Sequence, residues 1–256
     1  MAIDWETRIT NAKAGLERSD GSVQHAYPQA GSDAFAQTFD HTLLKPEATA
    51  AQVQTLCEEA AKYKFATVCI REPFVKLAST ALEGTDVKVC CVVGFHDPTA
   101  TTSEQKLAEA RAAVAAGATE LDMVILWSLL KQKQYDAVYE DLKALRDAIP
   151  RSQALFKVIF ETSQLSRDEI IAACVLASEA DFDFIKTSTG FLGAGAKVED
   201  VRLMQKMCMN EGKGMKVKAS GGVRTVADAL NMLQAGASRL GASASVNIMQ
   251  EAVNIA

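Results

Sequence analysis

The chain has 256 residues, 48% of them hydrophobic, and its 27 Lys and Arg against 32 Asp and Glu leave a formal charge of -5. That length supports one large barrel or two small domains, and folding at this size buries about 70–75% of the unfolded surface without any staple. The mild charge and scattered basic residues argue against a disordered chain and against a nucleic-acid binder that tracks phosphates.

Trp5, Ile9, Ala12 and Leu16 fall at helical spacing and predict an amphipathic helix over 3–18. The N-terminus has no apolar signal core, and no run approaches the ~18 apolar residues of a membrane span, so a cytoplasmic protein is expected. Residues 19–37, rich in Ser, Gly, Gln and Ala, read as a linker, which sets a first region at 1–37 and a second at 38–256. Beyond it, eight short apolar runs predict strands at 38–44, 65–70, 87–95, 120–126, 155–161, 183–189, 215–220 and 238–243. Helical stretches alternate with them. The one over 102–118 opens with Ser103 as its N-cap and closes on Gly117, and the one over 225–237 ends on Gly236. Eight strand–helix units in ~220 residues match a (β/α)₈ barrel. An open doubly wound sheet is the alternative, weakened because no G-x-G-x-x-G follows the first strand.

The six cysteines, Cys57, Cys69, Cys90, Cys91, Cys174 and Cys208, form no C-x-x-C pair and mostly lie in apolar periodic segments. They read as free thiols packed as small hydrophobes, consistent with a reducing compartment.

In a barrel, function sits where strands end and βα-loops begin. The predicted strand ends carry Asp40, Cys69, Gly94, Asp122, Glu161, Lys186, Lys218 and Gly241, with Lys157 inside the fifth strand. Ionisable groups inside strands are costly unless paired. In "DFDFIKTSTGF", Lys186 ends an apolar run and no acidic residue follows closely. An amine attacks a carbonyl only when unprotonated, so a lysine's reference value of ~10.4 must fall by several units. Burial and a neighbouring cation both act in that direction. Lys218, on the next strand, supplies the neighbour. Two cations ~5 Å apart at an effective dielectric of ~20 repel by roughly 3 kcal/mol, about two pKa units. The bland alternative is two lysines snorkelling to solvent. Asp122, embedded in its strand, suits either a structural ion pair or proton transfer through water. Asp40 could orient a substrate hydroxyl or pair with a lysine, and Lys157 and Glu161 could join the same charged network.

A glycine set forms the second signal. Gly221 and Gly222 follow the seventh strand, and Gly241 and Ser243 lie in the "GAS" of the eighth. Loops after strands seven and eight, with a helix N-terminus, build phosphate sites in barrels. Gly190 would be the third arm. The alternative is that these glycines only make turns. His41 reads as structural rather than as a base, and His25, His41 and His96 are too dispersed for a metal site. No nucleophile elbow or P-loop is present.

The segments "FDHTLLKPEAT", "KVCCVVGF", "ELDMVI", "DFIKTSTGF", "VEDVRLM" and "KASGGVRT" resemble, in register from about 38 to 250, the deoxyribose-phosphate aldolase family. The resemblance implies a (β/α)₈ barrel and a class I aldolase with no metal or organic cofactor. Its reaction is the reversible cleavage of 2-deoxy-D-ribose 5-phosphate to glyceraldehyde 3-phosphate and acetaldehyde. By the same resemblance Lys186 forms the Schiff base, Lys218 perturbs it and Asp122 shuttles protons. Asp40 and Thr42 line the substrate pocket, joined as substrate-side positions by Cys69, Lys157 and Thr189. Gly190, Gly221, Gly222, Gly241 and Ser243 would surround phosphate.

The chain departs from the family pattern at Arg71, Glu72, His96 and Leu126. It ends at Ala256, so the tyrosine-bearing tail of some members is expected to be absent or replaced. These departures bear on aldehyde scope, loop shape and subunit contacts, and self-association as a homodimer stays open. Three alternatives remain: another Schiff-base aldolase, a phosphate-binding isomerase with Asp122 as base, or a sugar-phosphate sensor without turnover.

Overall fold

Eight of the short apolar runs become strands buried on both faces, as strands of an all-parallel sheet must be. The computed structural model describes residues 3–18 and 26–255. Its strands are β1 (Phe39–Thr42), β2 (Thr67–Ile70), β3 (Lys88–Val93), β4 (Glu120–Val124), β5 (Leu155–Ile159), β6 (Phe184–Lys186), β7 (Lys216–Ser220) and β8 (Arg239–Ala242). They pair in chain order into a closed parallel barrel, and β1 meets β8 with Asp40 opposite Gly241. The strands are shorter than the predicted runs at one or both ends; in all but β2 and β7 the run continues past the strand's C-terminal end into the following loop.

The helices are α1 (Trp5–Arg18), α2 (Asp33–Ala36), α3 (Ala50–Tyr63), α4 (Val75–Ala81), α5 (Ser103–Ala115), α6 (Trp127–Lys131), α7 (Tyr135–Ala148), α8 (Arg167–Glu179), α9 (Val198–Glu211), α10 (Val226–Gln234) and α11 (Ser245–Ile255). Four of them start with capping boxes: Thr49 with Gln52, Thr102 with Gln105, Ser166 with Glu169, and Thr225 with Asp228. Each satisfies two of the orphan N–H groups of a first turn. The N-cap of α5 is therefore Thr102 and not Ser103. Gln105 stands three residues after Thr102, while the Ser103 hydroxyl donates to Asp141 Oδ1 at 2.6 Å.

The predicted N-terminal helix is present as α1 and covers the outer ring at α8 and α9. Trp5, Ile9, Ala12 and Leu16 are buried, and the Trp5 indole donates to Asp136 at 2.8 Å. Its apolar stripe is thus consumed within the chain. Of the expected linker, 19–25 lie outside the described residues, as does His25. Residues 33–36 form α2, capped by Ser32, whose Phe35 packs edge-on to Phe39 at 5.1 Å.

Register decides which side chains meet inside the barrel. Paired positions in parallel strands face the same side, and a strand repeats its facing every second residue. Asp122 pairs with Lys157, and Lys186 with Lys218. Glu120 and Asp122, two apart on β4, share one face.

Candidate active site

Asp122 is the hub of the barrel interior. Its Oδ1 accepts from Lys157 Nζ at 2.9 Å, and its Oδ2 accepts from Lys186 Nζ at 2.8 Å and Lys218 Nζ at 2.7 Å. The last two distances, added, bound the separation of the two lysine nitrogens at about 5.5 Å. Around this hub, Asp40 pairs with Lys218 and, at 2.6 Å, with Arg239. Glu120 pairs with Lys157 at 2.5 Å and Arg239 at 3.3 Å. Lys157, Lys218, Asp40 and Asp122 are wholly buried, and Lys186 is 3% exposed. Three cations, Lys157, Lys218 and Arg239, balance three acids, Asp40, Glu120 and Asp122. Lys186 is the fourth cation of the cage.

This corrects the expectation that Lys186 lacks an acidic partner. The partner comes from β4, across the lumen, rather than from flanking sequence. Lys218 and Asp122 also lie inside their strands, while Lys186 does end β6. Burial would push the Asp122 carboxyl up, but Lys157, Lys186 and Lys218 together hold it well below the usual range. Asp40 is likewise held low, burial being outweighed by Lys218, Arg239 and Lys157. Burial would lower Lys218, yet Asp122 and Asp40 raise it, so it keeps its charge.

Above the cage opens a cleft of about 360 Å³. Thr42, Lys186, Thr189, Gly190, Gly221, Gly222, Gly241 and Ser243, all anticipated from sequence, line it. Asp40, Cys69, Asp122, Lys157 and Lys218 are not among its lining residues and are wholly buried. The glycines permit close backbone approach. Gly221 has φ +84°, and a Cβ there would lie 2.8 Å from the Cα of Gly195; Gly222 has φ +82°. Thr187 Oγ1 donates to Ser220 O and accepts from Ser220 N, both at 3.0 Å, joining the loops after β6 and β7. The start of α11 at Ser245 stands beside Ser243 and adds a helix N-terminus to this end.

Leu44 ties the cleft lining to an apolar cluster. Leu44, Cys69, Cys90 and Val92 form a small cluster separate from the main core, with Phe95 packed on it. Cys69 stands opposite Cys90 in the β2–β3 register. A hydrogen bond with Cys90 lowers the Cys69 thiol, whereas burial raises Cys90, which donates to Asp122 Oδ1 at 3.1 Å. Two departures from the family pattern gather on the rim. Arg71 donates to Leu44 O at 2.8 Å and lies over the Phe95 ring, and His96 and Phe95 pack on Phe191 at 4.9 and 5.3 Å.

Sequence reasoning did not single out Glu120, Arg239, Cys90, Lys45 or Arg224. Parity gave a signal for Glu120, two residues before Asp122, and for Arg239, two before Gly241. Lys45 and Arg224 are exposed cations on the cleft, Lys45 just after Leu44 and Arg224 two residues beyond the glycine pair. Glu161 does not join Lys157. It is buried and bonded to Thr189 instead. His41 is structural, its Nε2 2.7 Å from Glu59 of α3, with its titration lowered mainly by burial. Two donor sets, Cys69–Cys90–Asp122 and Asp40–Cys90–Glu120, have metal-like spacing. Both Asp122 oxygens and the Glu120 Oε2 already accept from ammonium groups, so a metal cation there would meet like charge. The donors fit lysines better than a metal.

Comparison with known proteins gives a consistent grouping. A family model described as DeoC/LacD family aldolase matches residues 34–251. A deoxyribose-phosphate aldolase of Coccidioides immitis is 47% identical over 248 residues, covering 97% of this chain and 91% of that one. A crystal structure from the same organism superposes with a TM-score of 0.92 at 47% identity, covering 97% and 96% of the two chains. The deoxyribose phosphate aldolase of Aeropyrum pernix, described as tetrameric, is 30% identical with a TM-score of 0.80 over 98% of this chain and 99% of that one.

Proposed function

The chain belongs to the DeoC/LacD family of aldolases, and from that premise we propose that it is a 2-deoxyribose-5-phosphate aldolase working through a Schiff base on Lys186. The observation that carries the proposal is the sharing of one Asp122 oxygen by Lys186 and Lys218 at the foot of the glycine-lined cleft. The ion-paired cage is balanced when Lys186 carries no proton, the state in which its nitrogen is a nucleophile.

In the direction of synthesis, Lys186 Nζ adds to the carbonyl carbon of acetaldehyde, and loss of water leaves a protonated imine. That cation is an electron sink. A methyl proton leaves, the C–H electron pair becomes the enamine double bond, and the nitrogen becomes neutral. Asp122 receives the proton directly or through water. Its basicity rises at this step, because one of its three cationic partners has lost its charge. Lys218 stays charged and keeps Asp122 oriented. The enamine carbon then attacks the aldehyde carbon of glyceraldehyde 3-phosphate, whose oxygen takes up a proton. Water adds to the restored iminium and releases 2-deoxyribose 5-phosphate and Lys186. Cleavage is the reverse.

Each part of the cavity suits one part of the substrate. Leu44 of the cleft lining, backed by the buried Cys69, Cys90 and Val92, suits the acetaldehyde methyl group. The Gly190, Gly221–Gly222 and Ser243 end, with Lys45 and Arg224, suits phosphate. Asp40, Thr42, Thr189 and Lys157 hold the sugar end or the groups that do. The lysine supplies the electron sink, so the reaction calls for neither metal nor organic cofactor.

The proposal places the enzyme in a reducing, cytoplasmic setting, since its six cysteines are buried free thiols. Among the described residues no helix is long and apolar enough to cross a membrane. A second copy of the chain stays among the expected partners, given the tetrameric Aeropyrum pernix relative. The test is acetaldehyde release from 2-deoxyribose 5-phosphate with chelator present. Turnover that survives chelation and is lost in Lys186→Met supports the proposal, and no release by the intact chain refutes it.

A further inference from the structure

Glu161 stands just after β5 at φ +57°, the left-handed region that disfavours a side chain, and is wholly buried. It makes no ion pair among the described residues. Its Oε2 accepts from Thr189 N at 3.1 Å and Thr189 Oγ1 at 2.5 Å, and its Oε1 is buried without a hydrogen-bond partner. A buried carboxylate lacking an ion pair is costly, and packing alone would be served by a neutral side chain. The turn it belongs to grips the loop after β6 at two further points. Thr162 N donates to Thr187 O at 2.9 Å, and Gly193 sits so close to Ser163 that a Cβ would lie 2.3 Å from Ser163 Oγ.

The Thr189 hydroxyl is committed in a specific sense. It donates its proton to Glu161 and accepts from Phe191 N at 3.1 Å. One lone pair is left, and Thr189 lines the cleft beside Lys186. It can accept a hydrogen bond from a substrate hydroxyl and cannot donate one.

We infer that Glu161 is a positioning residue of the aldol reaction. By holding Thr189 through its N–H and hydroxyl, it fixes the segment from Thr187 to Gly193 in the shape that receives a hydroxylated sugar phosphate. This rests on the aldolase reading and extends it to acceptor recognition.

The test compares the full-length enzyme with Glu161→Ala, Glu161→Gln, Thr189→Val and the Ala/Val double variant. Two readouts are taken: KM and kcat for cleavage of 2-deoxyribose 5-phosphate, and the rate of borohydride trapping with acetaldehyde alone, which needs Lys186 but no acceptor. Glu161→Ala is expected to raise KM about tenfold, equivalent to about 1.4 kcal/mol, and to leave trapping within about twofold of wild type. Glu161→Gln, which retains one accepting oxygen, should return KM to within about threefold of wild type. Thr189→Val should match Glu161→Ala, and the double variant should be no worse than the poorer single one. An unchanged KM, a loss of trapping parallel to the loss of cleavage, or multiplying effects in the double variant would overturn the inference. If Glu161→Ala does not fold, Thr189→Val and Glu161→Gln decide by the same criteria. Wild-type enzyme that traps no acetaldehyde would instead overturn the aldolase reading beneath it.

Discussion

Replacing Lys218 by leucine removes the cation that shares an Asp122 oxygen with Lys186. The two nitrogens lie 2.7 and 2.8 Å from that oxygen, hence no more than about 5.5 Å apart. At an effective dielectric of about 20, two unit charges at that separation repel by about 3 kcal/mol, or about two pH units. Lys218→Leu should therefore move the pH–rate profile of imine formation up by about two units and slow the reaction at pH 7 about a hundredfold. The rate should recover near pH 9. Breaking a buried ion pair costs about 3–5 kcal/mol. Asp40 keeps Arg239 at 2.6 Å and Asp122 keeps Lys157 at 2.9 Å, which favours the lower figure. That lowers Tm by roughly 6–12 °C, so the assay is run well below the transition. Borohydride trapping with acetaldehyde from pH 6 to 10, read by intact mass, gives the profile. A plateau that falls while the profile keeps its place on the pH axis would refute the charge argument, and Lys218 would then act through shape alone.

Gly222→Ala tests the phosphate end. A Cβ at Gly222 would touch nothing closer than Ala194 O at 3.7 Å, so the strain comes from φ +82°. About 1–2 kcal/mol of backbone strain should shift the loop and raise KM for the phosphorylated substrate severalfold, leaving cleavage of unphosphorylated 2-deoxyribose unchanged. Equal losses on both substrates would remove Gly222 from the phosphate site. The buried thiols set an alkaline limit. Burial pushes Cys57 up to about 11 and Cys208 to about 12, from 9.0. A folded value above the unfolded one means the stabilisation is complete below about pH 9 and is lost as pH rises toward 11–12. Denaturant unfolding under reductant should show stability falling above pH 9 by about 1.4 kcal/mol per pH unit for each such thiol, with a shallower slope in Cys208→Ala. An unchanged slope in that variant would contradict the assignment.

The barrel was legible because parallel strands buried on both faces leave continuous apolar runs, and eight of these alternate with helical periodicity. Lys186 was legible as a charged end to such a run. Asp122 was legible as an acid of the site but its direct contact with Lys186 was not, because it comes from β4, two strands away in the closed sheet, and meets Lys186 only across the lumen. Sequence order names a strand's neighbours and says nothing about which side chains converge inside. Arg239 and Glu120 shared the parity of recognised residues, but parity does not reveal depth, since Lys216 shares the parity of Lys218 and is exposed. Four residues are too few to show a period, so α2 was hidden in the linker. Glu161 looked like one more acid of the network, and the left-handed turn that sends it to Thr189 has no glycine to announce it.

The central claim concerns one nitrogen. The intact chain, incubated with acetaldehyde and borohydride, then digested and mapped by mass spectrometry, should carry one reduced adduct of about 28 Da on the peptide containing Lys186. Lys157 and Lys218 should stay unmodified. An unmodified Lys186 peptide, or an adduct on either of the other two lysines, would contradict the account.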